Sequence, residues 1–486
     1  MGLFLRFNGK VILHVTGFLL MMEGAFMMTG VPFALYYCED QCFSLLISGL
    51  ITAGIGFPLW MTTKKNRGNI GKREGYVIVS LSWIVISLFG TLPYILSGSI
   101  THFTDAFFET MSGFTTTGAT ILTDIESVPK GILFWRSLTH WIGGMGIIVL
   151  SVAILPILGI GGMQLFVAEM PGIKYDKLHP RITDTAKRLW GIYVALTFAE
   201  TLLLLAGGMS LFDSLSHAFA TMATGGFSTK NDSIAGFSGY IQYVIIIFML
   251  FAGTNFTLHY LGFRGRIRDI WRNEEYRYYI GFTLGFAILI AVLLVIKSDQ
   301  PPAEAFRDSL FQVVSIVTTT GFITTDYLAW PSYLWYFIFL LMFIGGSAGS
   351  TAGGIKIARQ ILLLKNSALE MKRLIHPQAI IPVRFNGRTV SQDVLFKVMA
   401  FFLFYLLIFF GGTIVMSLFG MNFETAVGST IATLGNIGPG IGMVGPVDNY
   451  AFIPDAGKWF LSFLMLLGRL ELFTIIILLS PSFWKK

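Results

Sequence analysis

Of the 486 residues 54% are hydrophobic and only 13% charged, about half the charged share that a soluble globule needs to cover its surface. The net charge of +7 does not mark a nucleic-acid binder, because the basic residues fall in separate runs between apolar stretches rather than in one patch. The apolar stretches reach the ~20 residues of a membrane helix, well beyond the ~9 to 11 of a barrel strand, so the chain reads as an all-α integral membrane protein.

Residues 11–37 and 43–62 read as two helices of an appended N-terminal module, 1–70. The first is too long for a signal-peptide core and another span follows, so it reads as a retained helix. It carries Glu23, and a carboxylate inside a membrane span is either functional or met by a partner on a facing helix. Cys38 and Cys42 in CEDQC fit a disulfide on the oxidising side or two free thiols.

Four units then follow, at 71–165, 166–268, 269–385 and 386–486. The first has spans at 76–98 and 132–158, the second containing His140, which reads as a packing residue, and Gly143, Gly144 and Gly146, which permit close helix contact. A connector with Pro171 and Pro180 occupies 159–184. The second unit has spans at 188–208, with Glu200 inside, and 240–262; the third at 278–297 and from 333 onward; the fourth at 394–420 and 457–480. Basic runs at 64–73, 174–188, 264–277 and 356–397 alternate with connections whose basic residues are Lys130, Arg136, Lys230, Lys297, Arg307 and Lys458. The positive-inside rule places the basic runs and both termini in the cytoplasm, for ten crossings in all.

Each unit carries the same motif between its spans. TDAFFETMSGFTTTGATILTDI at 104–125, FDSLSHAFATMATGGFSTKND at 212–232, RDSLFQVVSIVTTTGFITTDY at 307–327 and NFETAVGSTIATLGNIGPGIGMV at 422–444 each run from an acid through a short helix to a small, hydroxyl-rich segment ending in Gly. The acids are Asp105, Asp213, Asp308 and Glu424, placed to complement the helix dipole at its start. The segments are Thr116, Thr117, Gly118; Ala223, Thr224, Gly225; Thr319, Thr320, Gly321; and Asn436, Ile437, Gly438, with Gly435 as a second candidate for the fourth glycine. The glycines stand 13, 12 and 13 residues after their acids in the first three copies, and in the fourth 14 for Gly438 or 11 for Gly435. Non-helical backbone at membrane depth is tolerated only where protein buries it or where it lines a water-filled path, so four copies predict one central path. Its carbonyl oxygens would replace the hydration shell of a monovalent cation.

Two further places break the apolar pattern. IGGSAGSTAGGIKIAR at 344–359 holds Gly345, Gly346, Gly349, Gly353 and Gly354, with Lys356 just after, and at roughly 1 kcal/mol per glycine a continuous helix is disfavoured. This segment reads as an unwound gate reaching beneath the third copy, against a face of small residues for helix packing. Arg469, within the last span, costs about 2.5 to 3.5 kcal/mol to insert and should face an aqueous cavity or a partner. It reads as a charged barrier to a conducted cation, or as a structural residue bonded to a carbonyl; Glu471, two residues on, does not face it on a helix.

The four glycine motifs, the STAGG-containing broken span and the GRLELFT segment resemble the superfamily of K⁺ transporters that includes bacterial TrkH and KtrB with fungal and plant relatives, and the two extra N-terminal spans resemble TrkH. The resemblance implies a K⁺ pore at the motif glycines, with Rb⁺ and Na⁺ as further candidates, and a gate at 345–354 with Arg469. It also implies a bacterial inner-membrane homodimer whose cytoplasmic side docks a TrkA-like ring of nucleotide-binding subunits. Glycine at every motif end, rather than the Ser that Na⁺-passing plant relatives carry at the first, favours K⁺; Met222, Ala223, Asn436 and Pro439 depart from the Thr-rich pattern and favour a looser filter. No cofactor is expected, since no phosphate-binding loop is present. Symport of K⁺ with H⁺ or Na⁺ through Glu23, Glu109 or Glu200 is the alternative within transport. An intramembrane enzyme would need clustered acid, base or metal groups, and His140, His217 and His259 stand on separate segments.

Overall fold

The computed structural model describes residues 9–64, 72–146, 182–298, 300–379 and 381–484. The connector expected at 159–184 falls almost wholly outside them, as does the first unit's second span beyond residue 146.

The described residues form helices and the loops between them, with one short hairpin, Arg384–Phe385 against Arg388–Thr389. The N-terminal module is α1 (Gly9–Met28), the short α2 (Val31–Tyr36) and α3 (Cys42–Thr63). Glycines set how closely α1 and α3 pack. A Cβ on Gly24 would collide with the Gly49 carbonyl and one on Gly49 with the Gly24 carbonyl, and Gly17 and Gly56 form a second reciprocal pair. Backbone thus meets backbone at two places along the crossing, the way small residues join helices in lipid. Glu39 ties the module to the rest by accepting the backbone N–H groups of Lys130 (2.5 Å) and Gly131 (3.0 Å) at the start of a later helix. Cys38 and Cys42 are free thiols.

Each of the four units has a long first helix, a short buried helix, a turn, and a second helix. The first unit comprises α4 (Lys72–Phe89), α5 (Leu92–Leu96), the short α6 (Phe103–Phe114) and α7 (Lys130–Trp141). In the second come α8 (Ile182–Ala206), the short α9 (Leu211–Met222), α10 (Gly239–Ala252) and α11 (Phe256–Phe263). After α12 (Ile267–Arg272), the third unit has α13 (Glu274–Ser298), the buried α14 (Pro302–Val317), α15 (Ser332–Leu341) and α16 (Ile357–Ile375). The fourth has α17 (Gln392–Leu418), the short α18 (Phe423–Leu434), α19 (Asp455–Arg469) and α20 (Phe473–Leu479), closed by α21 (Pro481–Trp484). Helix α17 exposes Leu403, Leu407, Phe410 and Ile414, a stripe at helical spacing that a bilayer would cover.

Three expectations are corrected here. The span at 240–262 is not one helix but α10 and α11 bent by 104°, and that at 457–480 is α19 and α20 bent by 117°. With the non-helical residues between α15 and α16, three of the four second helices are interrupted, not the third alone, and the first passes into a π-helical turn, Ile142–Gly146, after α7. The cause repeats: a glycine at the break lets the end of a buried short helix press on the chain. A Cβ on Gly143 would strike the Phe114 carbonyl, one on Gly253 the Thr318 side chain, and one on Gly468 the Leu434 carbonyl. The third buried helix starts at Pro302, so Asp308 lies inside it and Glu304 takes the first turn. Finally, Arg136 and Lys458 are not connection residues but are buried and ion-paired, Arg136 with Glu109 (2.7 Å) and Lys458 with Asp105 (2.5 Å). Six helices are long and apolar enough to cross a membrane, or eight if each bent pair counts as one span, among the described residues.

The reciprocal glycine contacts generate a prediction. Gly49→Leu forces α1 and α3 apart, with an overpacking cost of roughly 1–3 kcal/mol. The purified protein should then melt several degrees lower in detergent, and an unchanged melting temperature would show that the two helices pack elsewhere.

Candidate functional site

The four buried short helices end in the same way. At each C-terminus one residue turns left-handed and the next donates back to the helix: Thr117 N to Ser112 O (2.9 Å), Gly225 N to Ala220 O (2.8 Å), Thr320 N to Ser315 O (2.8 Å) and Ile437 N to Ala432 O (2.8 Å). This is a Schellman cap, in which glycine normally takes the left-handed position. Here the residues are Thr116 (φ 52°), Thr224 (55°), Thr319 (55°) and Asn436 (54°). For the β-branched threonines that conformation costs about 1–3 kcal/mol each, the kind of strain that surrounding structure must over-determine.

Two residues on, the backbone is left-handed again at Gly118 (φ 80°), Gly226 (80°), Gly321 (79°) and Gly438 (97°). The second copy is therefore Thr224, Gly225, Gly226; the expected Ala223 is the ordinary helical C-cap of α9, and Gly225 is the middle residue. With this register the glycines stand 13, 13, 13 and 14 residues after Asp105, Asp213, Asp308 and Glu424. In the fourth copy Gly435 is the helical C-cap of α18, and the turn glycine is Gly438.

The four turns close into a ring. A Cβ on Gly118 would meet the carbonyl of Gly225, one on Gly226 that of Thr320, one on Gly321 that of Ile437, and one on Gly438 that of Thr117. Each middle-residue carbonyl thus lies against the turn glycine of the preceding unit, the first unit's against that of the fourth, around a complete circuit. Thr116, Thr117, Thr224, Thr319, Thr320, Asn436 and Ile437 are all fully buried or nearly so. Asn436 links units by donating to Thr117 Oγ1 (3.0 Å) and to Met465 O (2.9 Å). Among the described residues no group of three His, Cys, Asp or Glu side chains could hold a metal ion.

The segment between α15 and α16 passes along this ring and touches three units. Gly353 N donates to Thr319 Oγ1 (2.7 Å), Thr351 Oγ1 donates to Met222 O (3.0 Å), and a Cβ on Gly353 would crowd Gly435 and Asn436. At its start Gly345 N bonds to Ile355 O (2.6 Å), and Ser347 N bonds to Gly253 O (2.8 Å) beside the break in the second unit. Gly346 also packs on Gly253, while Gly349 (φ 78°) and Gly354 (φ 62°) are left-handed. Lys356, mostly buried, turns its Nζ back onto the Ala352 carbonyl.

Arg469 sits where α19 ends and clamps this segment to the first unit. It donates to Thr351 O (2.8 Å), Gly143 O (2.7 Å) and Gly144 O (2.8 Å). These three partners are carbonyls, the guanidinium also lies 6.0 Å over the Trp83 ring, and Glu471 pairs with Arg359, which stacks on Phe401 at 3.9 Å.

One residue that acts here, Glu275, had no sequence signal. Glu275, at the start of α13, accepts from Ala348 N (2.5 Å) and anchors the glycine-rich segment from below. Glu109 is engaged by Arg136, Thr120 and Ile121. Among the described residues Glu23 is buried with no hydrogen bond to either oxygen, and Glu200 is buried on α8. His140 stacks on Phe227 at 4.0 Å, His217 bonds to Asp213 O (2.7 Å), and His259 bonds to Phe251 O (2.8 Å), each in its own packing environment.

With this geometry in place, comparison with known proteins is informative. The family model TrkH, described as a cation transport protein, matches residues 43–486. The chain is 42% identical over 482 residues to the Trk system potassium uptake protein TrkH of Escherichia coli strain K12, covering 98% of this chain and 99% of that one. It is 37% identical over 480 residues to the Trk system potassium uptake protein TrkG of the same strain, with 98% and 99% covered. The crystal structure of the potassium transporter TrkH from Vibrio parahaemolyticus superposes with a TM-score of 0.89 at 38% identity, covering 99% of this chain and 100% of that one.

The hydrogen bond from Gly353 to Thr319 yields a prediction. Thr319→Val strands a buried N–H at a cost of about 1–3 kcal/mol. Amide exchange across 345–356 should speed up at least several-fold while exchange in α14 stays slow, and unchanged exchange would show that the hydroxyl does not hold the segment.

Proposed function

The chain belongs to the TrkH family of cation transport proteins, and from that premise we propose that it carries K⁺ inward across the bacterial inner membrane through a gated, channel-like pore. The observation that carries this reading is the closed ring of turns. The segments 116–118, 224–226, 319–321 and 436–438 offer backbone carbonyls and no carboxylate, the donor set that substitutes for the hydration shell of a monovalent cation. K⁺ is the substrate, and Rb⁺, close to it in size, should follow the same path. Glycine at all four turn ends supports K⁺ over Na⁺.

The segment between α15 and α16 is the gate in this reading. It lies against three units of the ring, and Arg469 holds it to the first unit by hydrogen bonds to three carbonyls. A fixed guanidinium beside the path raises the barrier for a passing cation, and moving the segment away requires those bonds to break. The driving force is the membrane potential: at about 2.3 kcal/mol per charge per 100 mV, roughly 180 mV sustains a ~1000-fold gradient. No chemical step is needed. The chain works as a homodimer, ten-crossing with cytoplasmic termini, and its basic cytoplasmic connections receive a TrkA-like nucleotide-binding ring that supplies regulation. Coupled symport has less support, because Glu109, one of its candidate carboxylates, is committed to a buried ion pair.

Uptake of radiolabelled Rb⁺ by proteoliposomes, with Na⁺ as competitor, tests the ring. Gly118→Ser and Gly226→Ser should each lower discrimination against Na⁺ about 10-fold, equivalent to about 1.4 kcal/mol. Gly225→Ser, whose side chain would meet the His140 ring, should instead lower the yield of folded protein. Equal discrimination in the two turn variants and the unsubstituted protein would put these glycines outside the filter.

In the same vesicles Arg469→Ala should raise flux several-fold. Lower flux at normal expression would make Arg469 a structural clamp only.

A further inference from the structure

The four short helices share one more equivalent position, facing the limb of the hairpin that leaves the ring. It stands nine residues before the turn glycine in the first three units and ten before it in the fourth: Glu109, His217, Gln312 and Gly428. Each grips the outgoing limb differently. Glu109 accepts from Thr120 Oγ1 (2.9 Å) and Ile121 N (2.9 Å). His217 Nε2 lies 3.0 Å from Ser228 Oγ. Gln312 donates to Thr325 O (3.2 Å). At Gly428 the Ile441 backbone fills the space directly, and a Cβ there would collide with it.

Only the first of these braces is an ion pair; it spans two units by hydrogen bonds, while the His217 ring reaches the third unit by lying 5.8 Å from the ring of Phe322. Arg136 Nε donates to Glu109 Oε1 (2.7 Å) while the same guanidinium donates to Ser228 O (2.9 Å), on the outgoing limb of the second hairpin. The guanidinium also lies 3.6 Å over the Phe227 ring, the residue that follows Gly226. Both members of the pair are almost wholly buried, where a charge-assisted bond is at its strongest and a lone charge at its most costly. The first and second turns are therefore cross-linked from behind by an ion pair, whereas the link between the outgoing limbs of the third and fourth hairpins is neutral, Tyr327 Oη donating to Gly440 O (2.6 Å).

We propose that Glu109 and Arg136 are positioning residues that set the cation specificity of the ring, by fixing the separation of its first two turns so that they cannot draw in around a smaller ion. The proposal rests on the reading of the ring as a K⁺ filter. Rb⁺ uptake with Na⁺ competition in proteoliposomes tests it on Glu109→Gln, on the double variant Glu109→Gln/Arg136→Met, and on Gly118→Ser as control. Glu109→Gln strands a buried guanidinium and can fail to fold. The double variant removes both charges, and its folding is checked by its elution as a monodisperse species. In the folded variants Na⁺ should compete about 10-fold better than in the unsubstituted protein. Unchanged discrimination in the double variant, beside altered discrimination in Gly118→Ser, overturns the proposal and leaves the filter reading intact. Unchanged discrimination in both overturns the filter reading and the proposal together.

Discussion

Bare backbone at membrane depth must find its partners within the protein, and this constraint organises the molecule. Four helices stop in the interior and their chains turn back, leaving carbonyls that no helix satisfies. The solution is mutual. Each turn sets its middle carbonyl against the left-handed glycine of the turn before it, around a circuit of Gly118, Gly226, Gly321 and Gly438. A side chain at any of the four would hit a neighbour's backbone, so the glycine is required by its surroundings as well as by its φ. The strained threonines one cap position earlier stay put because the ring and the buried helices determine them from both sides.

The same close approach explains why the second helices cannot run straight. Ends of buried helices press on second helices at a glycine, within one unit at Gly143 and Gly468 and across units at Gly253, which meets Thr318 of the third, and the chain bends or loosens into a π turn there. The third unit carries this furthest, opening into the segment that Thr351 and Arg469 tie to the other units and Gly353 ties to Thr319 of its own. A distortion that recurs in all four units thus becomes, in the third, the segment we propose as the gate. Glu275 and Lys356 hold its two ends, the first by its bond to Ala348 N and the second by turning back onto Ala352.

Much of this was legible in the sequence, because repetition is visible without structure. Four acid-to-glycine motifs between apolar runs gave the unit count, the buried helices and three of the four turn registers. The second register was misplaced by one residue since Gly225 and Gly226 are adjacent and either satisfies the motif; only backbone φ separates them. The breaks at Gly253 and at Leu470–Leu472 were hidden because their flanks stay apolar and a single glycine does not distinguish a bend from a contact. Arg136 looked like a connection residue from its position near the end of a span, although an arginine in an apolar run deserves the reasoning applied to Arg469. Its partner Glu109 lies on a different helix, and pairing across 27 residues leaves no local pattern.

The central claim is that the ring is a K⁺-selective path. Its most direct test is radiolabelled Rb⁺ uptake by the unsubstituted protein alone in proteoliposomes, driven by an outward K⁺ gradient and challenged with external K⁺, Na⁺ and Li⁺ in turn. The account predicts uptake that external K⁺ suppresses and that Na⁺ and Li⁺ at the same concentration leave nearly unaltered. Uptake that Na⁺ suppresses as well as K⁺ does would contradict it.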